Sequence, residues 1–151
     1  MMPKTELVYS FPYNLLFNDN FTYADLEKLK KKFSNFEKIY SKNIKQILIL
    51  IEKFNEPWKR EYIPIYLTER TRPISNPLTL RYEKNEKYLL VVLIHELIHN
   101  NLTRKFMNRE ELHKYISEIT KKVCSELDLE LDEEVEELDK RILQYSTERT
   151  V

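Results

Sequence analysis

Glycine is absent from all 151 residues of this chain, and that absence excludes a great deal. Glycine supplies positive-φ turns and lets a backbone come close to a phosphate. Neither a phosphate-binding P-loop nor a G-x-G-x-x-G dinucleotide fingerprint can be written without it. Cysteine is nearly absent as well. Cys124 alone closes no internal disulfide, which suits a reducing compartment. The longest apolar runs, Ile47–Ile51 and Tyr88–Ile94, fall far short of a bilayer span. Met1–Ser10 has neither the basic start nor the apolar stretch of a signal peptide. Neither charge is in excess, with Lys+Arg and Asp+Glu at 25 each, so nothing draws the whole protein towards nucleic acid or an acidic membrane. A cytoplasmic protein with no membrane and no nucleic-acid partner is expected.

What is present reads as a modest core inside a charged shell. Apolar residues make up 42% and charged ones 33%. Thr22 followed by Asp25 predicts a helix start, with a short basic helix running to about Lys32. Ser34-x-x-Glu37 resembles a capping box, behind which Phe36, Tyr40, Ile44, Ile47, Ile51 and Phe54 keep helical spacing up to Asn55-Glu56-Pro57. Two strands are expected next. Glu61–Thr68 carries Pro64, which implies an edge or a bulge, and Leu78–Glu83 alternates apolar with polar residues. Asn85 caps a helix from about Glu86 to Leu102. Asn108-x-x-Glu111 opens another with Leu112, Ile116, Ile119, Val123 and Leu127 as its stripe, and Val135, Leu138, Ile142 and Tyr145 mark a terminal one. The order predicts an α+β fold. Its division is an N-terminal segment 1–35, a core 36–127 and an acidic C-terminal helix 128–151.

The chemistry concentrates at His95-Glu96-Leu97-Ile98-His99. Residues four apart on a helix lie one above the other, so His95 and His99 offer two imidazoles to one side. Glu96 stands at the edge of that face, within reach of a water on a shared metal. Zinc takes nitrogen and carboxylate ligands, and in catalytic sites keeps a position for water. The apolar run before the motif places these polar groups where they would be costly without partners. Hydrogen-bonded core histidines beside an exposed glutamate are the alternative. A third protein ligand is needed, and Glu110, Glu111, His113 and Glu118 follow within twenty residues. Glu110 and Glu111 fit a helix N-terminus, where carboxylates complement the dipole.

Through HELIH the sequence resembles the zincin metallopeptidases. Metzincins continue with a glycine and a third histidine six residues on, but position 105 is Lys105 and glycine is absent. Gluzincins take a glutamate from the next helix, and residues 100–117 separate His99 from Glu118, a spacing of the aminopeptidase branch. The resemblance therefore implies Zn2+ held by His95, His99 and Glu118, with His113 as the alternative third ligand, and Glu96 as catalytic base. Lys122 stands where thermolysin-type enzymes place an aspartate, and the glycine-rich substrate motif of the aminopeptidases is missing. The closest resemblance is to the minimal gluzincins, or minigluzincins: a backing helix, a small mixed sheet, an active-site helix and a glutamate helix over about residues 36–127.

In that family an edge strand above the active-site helix binds extended substrate, a role that falls to Leu78, Thr79, Leu80, Arg81 and Tyr82. Some such proteins are latent, which would set the acidic segment 128–151 over the cleft as in a zymogen, although a solvated face is the commoner use of such a run. The basic segment Lys28–Lys32 with Lys38, Lys42 and Lys45 could pair with it. The expected function is zinc-dependent hydrolysis of a peptide or unstructured protein, with self-association left open. A zinc-binding regulatory or scaffold protein and a non-catalytic helical interaction module are the alternatives.

Overall fold

In this computed structural model, which describes residues 1–9, 20, 22–68, 73–131, 133 and 140, the first helix, α1, spans Tyr23–Phe54 without a break. Thr22 and Asp25 close a reciprocal capping box at its start. The expected break near Ser34 is not there. No Pro or Gly lies between Lys32 and Phe36, and serine costs a helix only a few tenths of a kcal/mol against alanine. Leu29 and Phe36, both fully buried, continue one stripe through Tyr40, Ile47 and Ile51. The helix ends where Asn55 donates its N–H to the Ile51 carbonyl just before Pro57.

Strands β1 (Lys4–Tyr9), β2 (Tyr62–Thr68), β3 (Ile74–Ser75) and β4 (Leu78–Arg81) form a mixed sheet in the order β1-β2-β4-β3. β1 runs parallel to β2 and β2 parallel to β4, while β3 is antiparallel to β4. The sequence did not announce β1; its alternation is weak, and it is a strand because it pairs with β2 along its whole length. Pro64 is not on an edge, yet it costs no ladder bond. Lys4 N–H donates to the Glu61 carbonyl, so Glu61, Ile63, Ile65 and Leu67 turn their backbone groups towards β1, as alternate residues of a parallel pair do. Pro64 faces the other way, where β4 begins to pair only at Tyr66.

Helix α2 (Glu86–Asn101) is capped by Asn85 and α3 (Arg109–Glu126) by Asn108. α2 is buried on nearly all sides from Tyr88 to Ile98. It sits between the sheet and the two other helices, touching β4, α1 and α3. The core is this helix wrapped by Ile63, Ile65, Leu67, Leu78 and Leu80 from the sheet and Ile116, Ile119 and Val123 from α3. A helix apolar all round needs such a central position. Trp58 pins the turn after α1 by donating Nε1–H to the Leu48 carbonyl at 3.0 Å. The described core is α+β, with a mixed sheet and three helices, one carrying the His/Glu cluster. The expected terminal helix and most of the acidic segment 128–151 fall outside the described residues. No described helix is long and apolar enough to cross a membrane.

Candidate metal centre

Three imidazoles converge where α2 and α3 meet. His95 and His99 come from successive turns of α2, and His113 from the second turn of α3. One donor atom from each lies within 4.8 Å of the others. The ring centres stand 5.1 Å apart for His95 and His99, 5.3 Å for His99 and His113, and 5.9 Å for His95 and His113. A tetrahedral ion with Zn–N bonds of about 2.0–2.1 Å would hold ring centres about 5 Å apart. The three ring-centre distances are close to that value.

The chemistry of the donors fits as well. Burial pushes His95 down to about 3, helped by its imidazole neighbours. Burial likewise brings His99 to about 4, with smaller contributions from His113 and Arg109. His113 is lowered by burial first and then by the Arg109 charge. All three are neutral at pH 7, the form that offers a lone pair to a metal. His113 Nδ1 is buried and makes no hydrogen bond among the described residues. Its Nε2 accepts a long hydrogen bond, 3.4 Å, from Arg109 Nε–H. With Nε2 accepting, Nδ1 carries the ring proton, so Nδ1 would ligate an ion only in the other tautomer, which gives up the Arg109 bond.

Glu96 is 6% exposed, and burial alone pushes its carboxyl up to about 7. A carboxyl held there can take a proton near neutral pH and give it back. The cluster of His95, Glu96, His99 and His113 is thus consistent with a zincin-like metal-binding motif.

Glu118 lies elsewhere. It is exposed on α3 and does not belong to the cluster. It follows His113 by five positions, a rotation of about 140° around the helix. His113 shares a face with Ile116 and Thr120, both buried. Of the two candidate third ligands, the buried stripe of α3 brings His113, and not Glu118, to the α2 pair. Glu110 and Glu111 sit in the first turn of α3, where Glu111 accepts the Met107 N–H at 3.0 Å.

The strand expected to meet substrate is also placed differently. Thr79 and Leu78 pair with β3, so β3 and not β4 holds the outer position there. Leu78, Thr79 and Leu80 are buried, leaving Arg81 exposed and Tyr82 half-buried beyond the strand. β3 is tied to the metal-site helix by Asn100 Nδ2, which donates to the Ser75 carbonyl at 2.6 Å.

Four residues near the site escaped sequence reasoning. Asn100 and Asn101 follow the motif directly. Asn101, 3% exposed, donates to the carbonyls of Glu56 and Pro57 and accepts from Lys59 N–H. Arg104 and Arg109 line a cleft of about 440 Å³ that opens beside His99. Asn100 and Asn101 are marked in the sequence only by following HELIH directly, and nothing in the sequence marks Arg104 or Arg109.

No family model, no curated protein and no solved structure matches this sequence, so the three histidines and the buried glutamate alone speak for its chemistry.

Proposed function

We propose that this protein is a zinc-dependent hydrolase of peptide bonds. The reading rests on one observation: three neutral imidazoles converge beside a buried carboxyl held near neutrality. His95, His99 and His113 would hold the ion. Zinc, when bound, polarises a carbonyl and acidifies water. Glu96 takes the proton from the attacking water and passes it to the leaving amine nitrogen, the two halves of general base and acid work. The close burial of α2 fixes the Glu96 backbone, so the carboxylate needs little reordering to act. The HELIH resemblance points the same way, with the ligand set of a three-histidine site in place of a gluzincin's glutamate.

Glu96→Gln is the direct test, read by zinc content and by digestion of an unfolded protein such as casein. The variant should bind one zinc per molecule and lose activity by at least about a hundredfold. Equal digestion by both proteins would end the hydrolase reading. Stoichiometric zinc with no digestion by the unaltered protein would favour a zinc-binding scaffold.

A further inference from the structure

The cleft beside His99 carries a charge bias that the whole molecule does not. Its lining is His99, Leu102, Arg104, Phe106, Asn108, Arg109 and Leu112: two guanidinium groups and no carboxylate. Among the described residues no carboxylate forms an ion pair with either guanidinium. In a protein with equal numbers of acidic and basic residues, a cleft lined by two arginines and no carboxylate favours an anion.

Arg104 is also held in place. Its guanidinium lies 5.3 Å from the Phe106 ring centre and 5.2 Å from that of Tyr115. The two rings stand 5.2 Å apart, so the guanidinium rests on a two-ring platform. Tyr115 is fixed in turn by its hydroxyl, which donates to Asn55 Oδ1 at 2.9 Å. The backbone beneath is anchored too. Glu56 accepts from the Thr103 hydroxyl at 2.7 Å and from the N–H groups of Thr103 and Arg104. An arginine whose stem and plane are both fixed loses little entropy on meeting a planar carboxylate. Arg109 lines the same cleft from the first turn of α3, beside His113.

We propose that Arg104 and Arg109 form a subsite for a substrate carboxylate close to the scissile bond, either an acidic side chain or the C-terminus of the bound peptide. The proposal rests on the hydrolase reading for the meaning of "scissile", but the anion site can be tested without turnover. The cleft volume admits one or two residues of a peptide, within the range of ordinary ligand sites. Leu102 and Leu112 would cover the aliphatic part of the bound peptide while the two guanidiniums take its charge.

The test uses four N-acetylated pentapeptides with a central Glu or Gln, each made as the free acid and as the amide. Binding to the zinc-loaded full-length protein with Glu96→Gln is measured by calorimetry. A carboxylate-bearing peptide should bind about tenfold more tightly than the Gln amide, as a charge-assisted, partly exposed contact allows. The Glu amide winning identifies a side-chain site, and the Gln free acid winning identifies a C-terminal one. Arg104→Gln should bring the peptides within about twofold of one another, and Arg104→Lys should keep only part of the preference because it lacks the planar fork. Four equal affinities would overturn the subsite. Turnover of the same peptides by the unaltered protein separates the two readings. Cleavage without preference sinks the subsite and leaves the hydrolase, whereas preference in binding with no cleavage sinks the hydrolase and leaves the anion site.

Discussion

His113 carries the sharpest prediction at the level of single side chains. It faces the α2 pair, while Glu118, five positions on, is exposed. His113→Ala should weaken zinc binding by at least about a hundredfold in a competition titration with a chromogenic chelator, and Glu118→Ala should leave it within about threefold. The reverse ranking would restore the glutamate as ligand. Arg109 has a sign of its own. Groups behind a metal-bound histidine usually accept its second N–H and strengthen the site. Arg109 can only donate, so its bond to Nε2 competes for a lone pair, and its charge repels a cation. Arg109→Ala should therefore tighten zinc binding, and the same titration reads it; weaker binding would show that Arg109 supports the ring.

Polar side chains tie the described helices to the links between elements, and Asn101 makes several such bonds. At the end of α2, its side chain meets Glu56, Pro57 and Lys59 on the link between α1 and β2. Removing it takes a partner from the partly buried backbone groups of Glu56, Pro57 and Lys59. Asn101→Ala should cost about 1–2 kcal/mol in denaturant unfolding, and a loss below about 0.5 kcal/mol would show that water takes its place. The long α1 teaches a related point. Ser34-x-x-Glu37 has the composition of a helix start, but a capping box forms only where the backbone has already left the helix. Between Lys32 and Phe36 nothing breaks it, and Leu29 and Phe36 are buried on one continuous stripe.

For the whole molecule, a bound metal and protons would compete for the same imidazoles. In the metal-free protein His95 and His99 are depressed to about 3 and about 4. Below the ordinary histidine value of about 6.5 the unfolded protein binds protons that the folded one refuses. Their contribution is thus full above about pH 6.5 and is lost progressively as pH falls towards those lowered values. Glu96, raised to about 7, acts in the opposite sense: it favours the folded state at low pH and loses that contribution as pH rises from the usual carboxylate range to about 7. Two histidines outweigh one glutamate, so the metal-free protein should melt at a lower temperature at about pH 5 than at about pH 7.5. A higher melting temperature at the acidic pH would mean that the histidines are protonated in the fold. Zinc at about a hundred times its Kd should add about 2.7 kcal/mol, raising the melting temperature by roughly 5–10 °C for a domain of this size. A chelator should reverse the shift, and an unmoved melting curve would remove the metal site.

The sequence by itself determined that His95 and His99 share a helix face with Glu96 beside them, because four residues make about one turn whatever surrounds them. It also determined the caps at Thr22, Asn85 and Asn108, which depend on a side chain and a backbone group three residues away. Contacts between distant segments were another matter. β1 exists because β2 pairs with it, β4 has β3 outside it, and Pro64 is tolerated because its missing donor faces a gap in the ladder. Above all, the third imidazole is near the HELIH pair because α3 packs on α2 with its Ile116 and Thr120 stripe inward. Spacing along the sequence fixes which residues can share a helix face. Only packing decides which face of the next helix turns towards it.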